Sequence, residues 1–109
     1  MEKSIFEPGN KFRFNESVEY STDGIVSKQV LDRIVGNVTL FAFDKGQRLS
    51  EHSAPFDAMV QVVEGTGEVV INKVPYQLNT GDTIIMPANV PHAVNAIEKF
   101  KMVLTMIKG

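Results

Sequence analysis

From residue 37 onward, apolar and polar side chains alternate in short runs, most of them closed by glycine, proline or asparagine. Asn37–Asp44 sets Val38, Leu40 and Ala42 against Thr39, Phe41 and Phe43, with Lys45-Gly46 behind it. Ala58–Val63 runs into Glu64-Gly65-Thr66-Gly67, which reads as a turn, and Glu68–Asn72 follows. Tyr76–Leu78, the turn Asn79–Asp82, Thr83–Met86, His92–Ala96 and Phe100–Ile107 complete the series. A period of two marks strands, because successive side chains point to opposite faces of a sheet. Short strands separated by Gly- and Pro-marked turns predict an all-β antiparallel sandwich or barrel. Helical spacing is confined to Val26–Val35, where Val26, Val30, Leu31 and Ile34 fall on one side. That stretch is β-branched and ends at Gly36, so it reads as strand at least as well as helix.

Two strands are apolar on both faces. In Phe100–Ile107 one face carries Phe100, Met102, Leu104 and Met106, and the other carries Val103 and Ile107. Met59 and Val63 likewise back the strand at Ala58–Val63. A sheet apolar on both sides needs cover on both, and a small barrel has one interior. A homodimer is therefore expected, the alternative being that Phe6, Phe12 and Phe14 fold back over the outer face. Residues 1–15, with Pro8-Gly9 among those aromatics, read as an arm or an edge strand. No linker interrupts the chain, and residues 1–109 are expected to form one domain.

Composition removes several classes of function. There is no cysteine, hence no disulfide and no thiolate nucleophile or ligand. Net charge is −2 with acids and bases interspersed, so no basic face offers itself to nucleic acid. No apolar run approaches the ~18 residues of a membrane span, and the opening residues hold no signal-peptide core. A cytoplasmic location, away from membranes, is the expectation.

The chain holds two histidines, His52 and His92. Paired imidazoles on neighbouring strands are the minimum for a metal site or a proton-handling pocket. No nucleophile–base pair can be built, since Ser50 and Ser53 lie on the same strand as His52 and the adjacent Ser53 points the other way. Gly65-Thr66-Gly67 leads into a strand, not a helix, and is no phosphate loop.

The two histidine segments resemble the cupin family of small jelly-roll barrels. The resemblance covers residues 46–96: Gly46, His52 and Gly65 fit the first motif, and Gly81, Pro87 and His92 fit the second. Asn89 replaces a glycine of the second motif, and both residue types tolerate a positive φ. The resemblance implies a jelly-roll barrel in which His52, Ala54, Ala58 and His92 occupy the four usual metal-ligand positions. Two of those positions are alanine here, and Ala96 replaces the final asparagine.

Alternation places His52 and Ala54 on one inner face with Ala58, Val60 and Val62, joined by Thr83 and Ile85 and by His92, Val94 and Ala96. This predicts an apolar pocket with two imidazoles at one end. The preferred expectation is a cupin that binds a small organic ligand with an apolar body and one polar or anionic end. The alternative is a metal-dependent enzyme of isomerase, cyclase or dioxygenase type. Its weakly held Zn, Fe, Mn or Ni would sit on His52 and His92, with Asp57 or substrate completing the shell. Strict alternation turns Asp57 to the other face, and a bulge beside Pro55 would be needed to bring it round. Glu51 and Gln61 are weaker candidates for the same reason, and Met59, Met86, Met102 and Met106 are expected to pack. A structural or sensory module without chemistry is the third possibility.

Overall fold

The computed structural model describes residues 5–108. Eight strands follow one another: β1 (Ile25–Arg33), β2 (Gly36–Phe43), β3 (Arg48–His52), β4 (Asp57–Ile71), β5 (Val74–Asn79), β6 (Thr83–Met86), β7 (His92–Asn95) and β8 (Phe100–Ile107). All pairings are antiparallel. One sheet runs β1-β2-β8-β4-β6, and the facing one runs β3-β7-β4-β5. The result is the all-β antiparallel barrel that the alternation predicts, with the jelly-roll form that the resemblance implies. The ambiguous stretch at Val26–Val35 is strand up to Arg33, and Ile34-Val35 form the turn into β2.

The strand β4 belongs to both sheets, and here one expectation is corrected. Glu64–Gly67 is not a turn; β4 passes through it without a break and bends, with a register shift between Val62 and Glu64. The two glycines serve close approach. A side-chain carbon at Gly65, where φ is 79°, would collide with the Lys99 carbonyl, and one at Gly67 would lie 2.6 Å from the Phe100 ring. The real reversal comes later, at Asn72-Lys73, both with positive φ (50° and 71°), as a two-residue hairpin turn favours.

The inner faces enclose the main core. Phe43 and Phe100 stack with ring centroids 4.8 Å apart, among buried Val60, Val62, Val69 and Met102. On the outer face of β2 and β8, Leu40, Ala42 and Val103 form a second buried cluster. Its cover is the segment before β1, which makes no strand among the described residues and only one 3-10 turn, Phe14–Glu16. Val18 is buried in this cluster, with Phe6, Phe14 and Tyr20 packed around it. Polar bonds hold the segment down. Lys101 Nζ donates to the Asn15 carbonyl (2.6 Å), Lys28 Nζ to the Ser17 carbonyl (2.9 Å), and the Tyr20 hydroxyl to Glu64 Oε2 (2.6 Å). Burial, together with the Glu64 carboxylate, pushes the Tyr20 hydroxyl well above its usual pKa. The N-terminal segment thus provides the outer cover for which a second copy is the other candidate. Beyond its reach Leu31, Val35 and Ile107 stay exposed around a groove of about 430 Å³. No helix among the described residues is long and apolar enough to cross a membrane.

Candidate functional site

His52 ends β3 and His92 opens β7, and the ladder places them directly opposite each other. Their Nε2 atoms are 3.2 Å apart, with ring centroids at 4.4 Å and planes at 73°. The rings sit at different depths: His92 is 5% exposed, whereas His52 is open to solvent. The loop before His92 is tied to the segment after His52 by two bonds. Asn89 N–H donates to the Ala54 carbonyl (2.7 Å), and Ala88 N–H donates to Asp57 Oδ1 (2.8 Å). Asn89 has φ 65°, the left-handed conformation that its place in the second motif implies.

The partners of the other ring nitrogens fix the chemistry of the gap. His52 Nδ1 lies 2.8 Å from the Ser50 carbonyl oxygen, and His92 Nδ1 lies 3.2 Å from that of Val90. A carbonyl only accepts, so a hydrogen on each Nδ1 satisfies both carbonyls, and in that tautomer of the neutral rings each Nε2 presents a lone pair. Two lone pairs face each other across 3.2 Å. Such a gap calls for a proton, a hydrogen-bond donor or a metal ion between them. A second proton is opposed: burial first, then the neighbouring His52, lowers the His92 pKa below its ordinary value, against the pull of the Val90 carbonyl.

Behind the pair lies a cavity of about 40 Å³. Of the residues expected at the pocket, His52, His92, Ala58 and Val94 line it, and apart from the imidazoles every lining side chain is apolar. Other expected residues are elsewhere. Ala54 lies past the end of β3, outside the cavity lining, where its backbone meets Asn89. Val60 and Val62 face inward and are spent on the packed core. Ile85 faces outward and is 59% exposed, since it stands opposite Met59; Ile84 and Met86 take the inward places. Thr83 stands opposite Gln61 and shares its outward face. Thr83–Met86 has apolar side chains of both parities, so alternation alone could not choose between them. Asp57 keeps to the outer side in a groove with Met59, Ile85 and Ile107, and Glu51 pairs with Lys73 at 2.9 Å.

Five lining residues were not among the expected pocket set: Leu49, Leu104, Met86, Met102 and Met106. Those on β8 share one face of Phe100–Ile107, but both faces of that strand are apolar and alternation does not say which one turns inward. Met86 needed the register of β6 on β4, which the sequence does not carry.

The Nε2 separation is close to the roughly 3.3 Å between two imidazoles that share one tetrahedral ion at about 2.0–2.1 Å. The rest of the family's four-ligand set is missing, because Ala54 and Ala58 offer no donor side chain. Among the described residues no three His, Asp or Glu side chains converge on a point that could hold a metal ion. The residues do not fit a conventional divalent cupin centre.

A curled antiparallel barrel with its two histidines paired across β3 and β7 defines a small jelly-roll domain. The chain belongs to the cupin family: the cupin-domain family model matches residues 39–108. Among solved structures it is similar to a conserved protein of unknown function, SPY1581 from Streptococcus pyogenes, at 36% identity and TM-score 0.89, covering 94% of this chain and 90% of that one. It is also similar to a cupin 2 conserved barrel domain protein from Leptotrichia buccalis, at 40% identity and TM-score 0.87, covering 89% of this chain and 47% of that one. A salicylate 1,2-dioxygenase from Pseudaminobacter salicylatoxidans shares the fold at 20% identity and TM-score 0.72, covering 77% of this chain and 26% of that one. A comparison with proteins of curated function finds no match.

Proposed function

We propose that this chain is a binding cupin whose site is the His52–His92 pair, and that its guest brings a hydrogen or a positive charge to the two facing Nε2 atoms. The observation that carries this is the commitment of both Nδ1 atoms to backbone carbonyls, which leaves acceptors, not donors, in the gap. An anionic end, the expectation from composition of the wall alone, is disfavoured by the same geometry. A cavity of about 40 Å³ suits a small group or an ion. An organic ligand with a larger body would lie at the exposed His52 side or displace the methionines, whose unbranched side chains repack readily.

Thermal shift with a panel of metal ions and small amines, alcohols and amides tests this. At least one guest should raise the melting temperature of the natural chain and leave His92→Ala unmoved, because a ligand stabilises only the state that binds it. No shift with any guest, or a shift that survives in the His52→Ala/His92→Ala double variant, would overturn it.

We also propose that the chain is a homodimer through the strip around Ile107, which the N-terminal segment leaves exposed. Ile107 lies between two grooves, one flanked by Arg33 and Lys108 and the other by Asp57. A two-fold axis near Ile107 would lay the basic groove of each copy over the acidic groove of the other.

A further inference from the structure

The place where a divalent cupin centre would have its carboxylate is surrounded here by sulfur. Ala58 stands at that position, and its direct partners across the ladder are Met86 on β6 and Met106 on β8. Residues opposite one another in a ladder share a face, so both thioethers flank the space above Ala58 on the inner side. Met86, Met102 and Met106 line the same cavity as His52 and His92.

We propose that this cavity takes one soft monovalent cation, copper(I), held by Nε2 of His52 and His92 and by the thioether of Met86 or Met106. The proposal rests on the His52–His92 pair being the binding site and names the guest of that site. Thioether sulfur selects copper(I), and imidazole suits it as well, whereas Mg, Ca and Mn favour carboxylate, carbonyl and water oxygens. Charge points the same way. The desolvation cost of an ion grows with the square of its charge, so burying a dication costs roughly four times as much as burying a monocation of equal size. No carboxylate among the lining residues offsets that cost. The chain has no cysteine and no histidine besides these two, so it offers no thiolate or further imidazole to compete.

The test is an anaerobic titration of the full chain with copper(I) against a chromogenic copper(I) chelator, with zinc(II) run in parallel. The natural chain should bind about one equivalent of copper(I), and zinc should be lost on desalting. The Met86→Leu/Met106→Leu double variant should bind copper(I) about tenfold or more weakly, in line with the loss of a metal-site contact, and His92→Ala should lose it. Leucine nearly conserves the volume of methionine and should leave the barrel folded. If the double variant does not fold, silver(I) added to the natural chain carrying carbon-13 methionine methyls decides: the Met86 or Met106 methyl resonance should move. Equal copper(I) affinity in the leucine variant, or unmoved methyls, would overturn the thioether site while leaving the histidine pair as the binding site. Zinc retained stoichiometrically and displacing copper would overturn the soft-ion assignment alone. Copper(I) bound undiminished by His92→Ala would overturn both.

Discussion

The two faces of the sheet formed by β2, β8 and β4 both bury apolar side chains and are covered in opposite ways. The inner face meets regular strands of the same barrel, and the pairing leaves one small void beside two imidazoles and three methionines. The outer face meets a segment with almost no regular structure, pinned by Val18 and by bonds from Lys101, Lys28 and Tyr20. Strand alternation thus tells how many faces need cover, but not what covers them. The gap in the inner cover lies beside two imidazoles, which makes that side the candidate site, while the gap in the outer cover lies over the apolar strip at Leu31, Val35 and Ile107.

The largest effect should come from the inner face. Phe100 is fully buried, stacks on Phe43 and lies against the backbone at Gly67. Phe100→Ala should cost about 3–5 kcal/mol in denaturant unfolding, because the ring leaves a cavity that stacked neighbours fill poorly. A loss below about 1 kcal/mol would mean that the two sheets are not joined through this ring.

The outer face should give smaller losses confined to the arm. Lys101 is buried with its ammonium between the Asn15 carbonyl and Glu64, the latter at 3.4 Å. Lys101→Met should cost about 1–3 kcal/mol, since it removes a hydrogen bond from a charged donor to the Asn15 carbonyl. Amide exchange should quicken over residues 10–22 while the imidazole resonances of His52 and His92 stay in place. Movement of both sets together would show that the two faces are coupled, against the contrast drawn above.

Much of this contrast was legible in the sequence. The strands β2 and β5 to β8, both halves of β4, the left-handed Asn89 and the convergence of His52 with His92 follow from alternation, turn chemistry and motif spacing, whereas β8, apolar on both faces, does not show which face turns inward. The failures share one cause: they depend on which strand lies against which. The bend in β4 looks like a turn because glycines that permit close approach resemble glycines that permit reversal. Ile85 was placed inward because Ile84-Ile85 is apolar in either register, and the role of Met86 stayed hidden for the same reason. The fastening role of Lys101 had no sequence signal, as its partner Asn15 is 86 residues away.

Acid should separate the two faces again. Burial, with a further contribution from His52, lowers the pKa of His92 in the folded chain below its ordinary 6.5. The unfolded chain therefore takes up this proton first as pH falls, so the stability held above pH about 6.5 is lost as pH drops through the folded value and changes no further below it. In metal-free protein, His92→Gln should flatten the slope of stability against pH in this range. His52→Ala should make it shallower, because one of the two causes of the shift is gone. An undiminished slope in His92→Gln would place the titrating group elsewhere.

The smallest effect on stability should come from the strip that the arm does not reach. Ile107 is 68% exposed, and Ile107→Lys should change the unfolding free energy by no more than about 0.5 kcal/mol per chain at concentrations where the chain is monomeric. Its effect on assembly should be large. A lysine on the two-fold axis would face its own copy, and like charges placed opposite each other across an apolar strip oppose association. Light scattering at micromolar concentration should give the mass of two chains for the natural protein and of one for Ile107→Lys. A monomer in both cases would mean that the arm completes the outer cover without help. A dimer in both would move the interface to another surface, the unpaired edge of β1 being the first to examine, since an edge strand left open invites pairing.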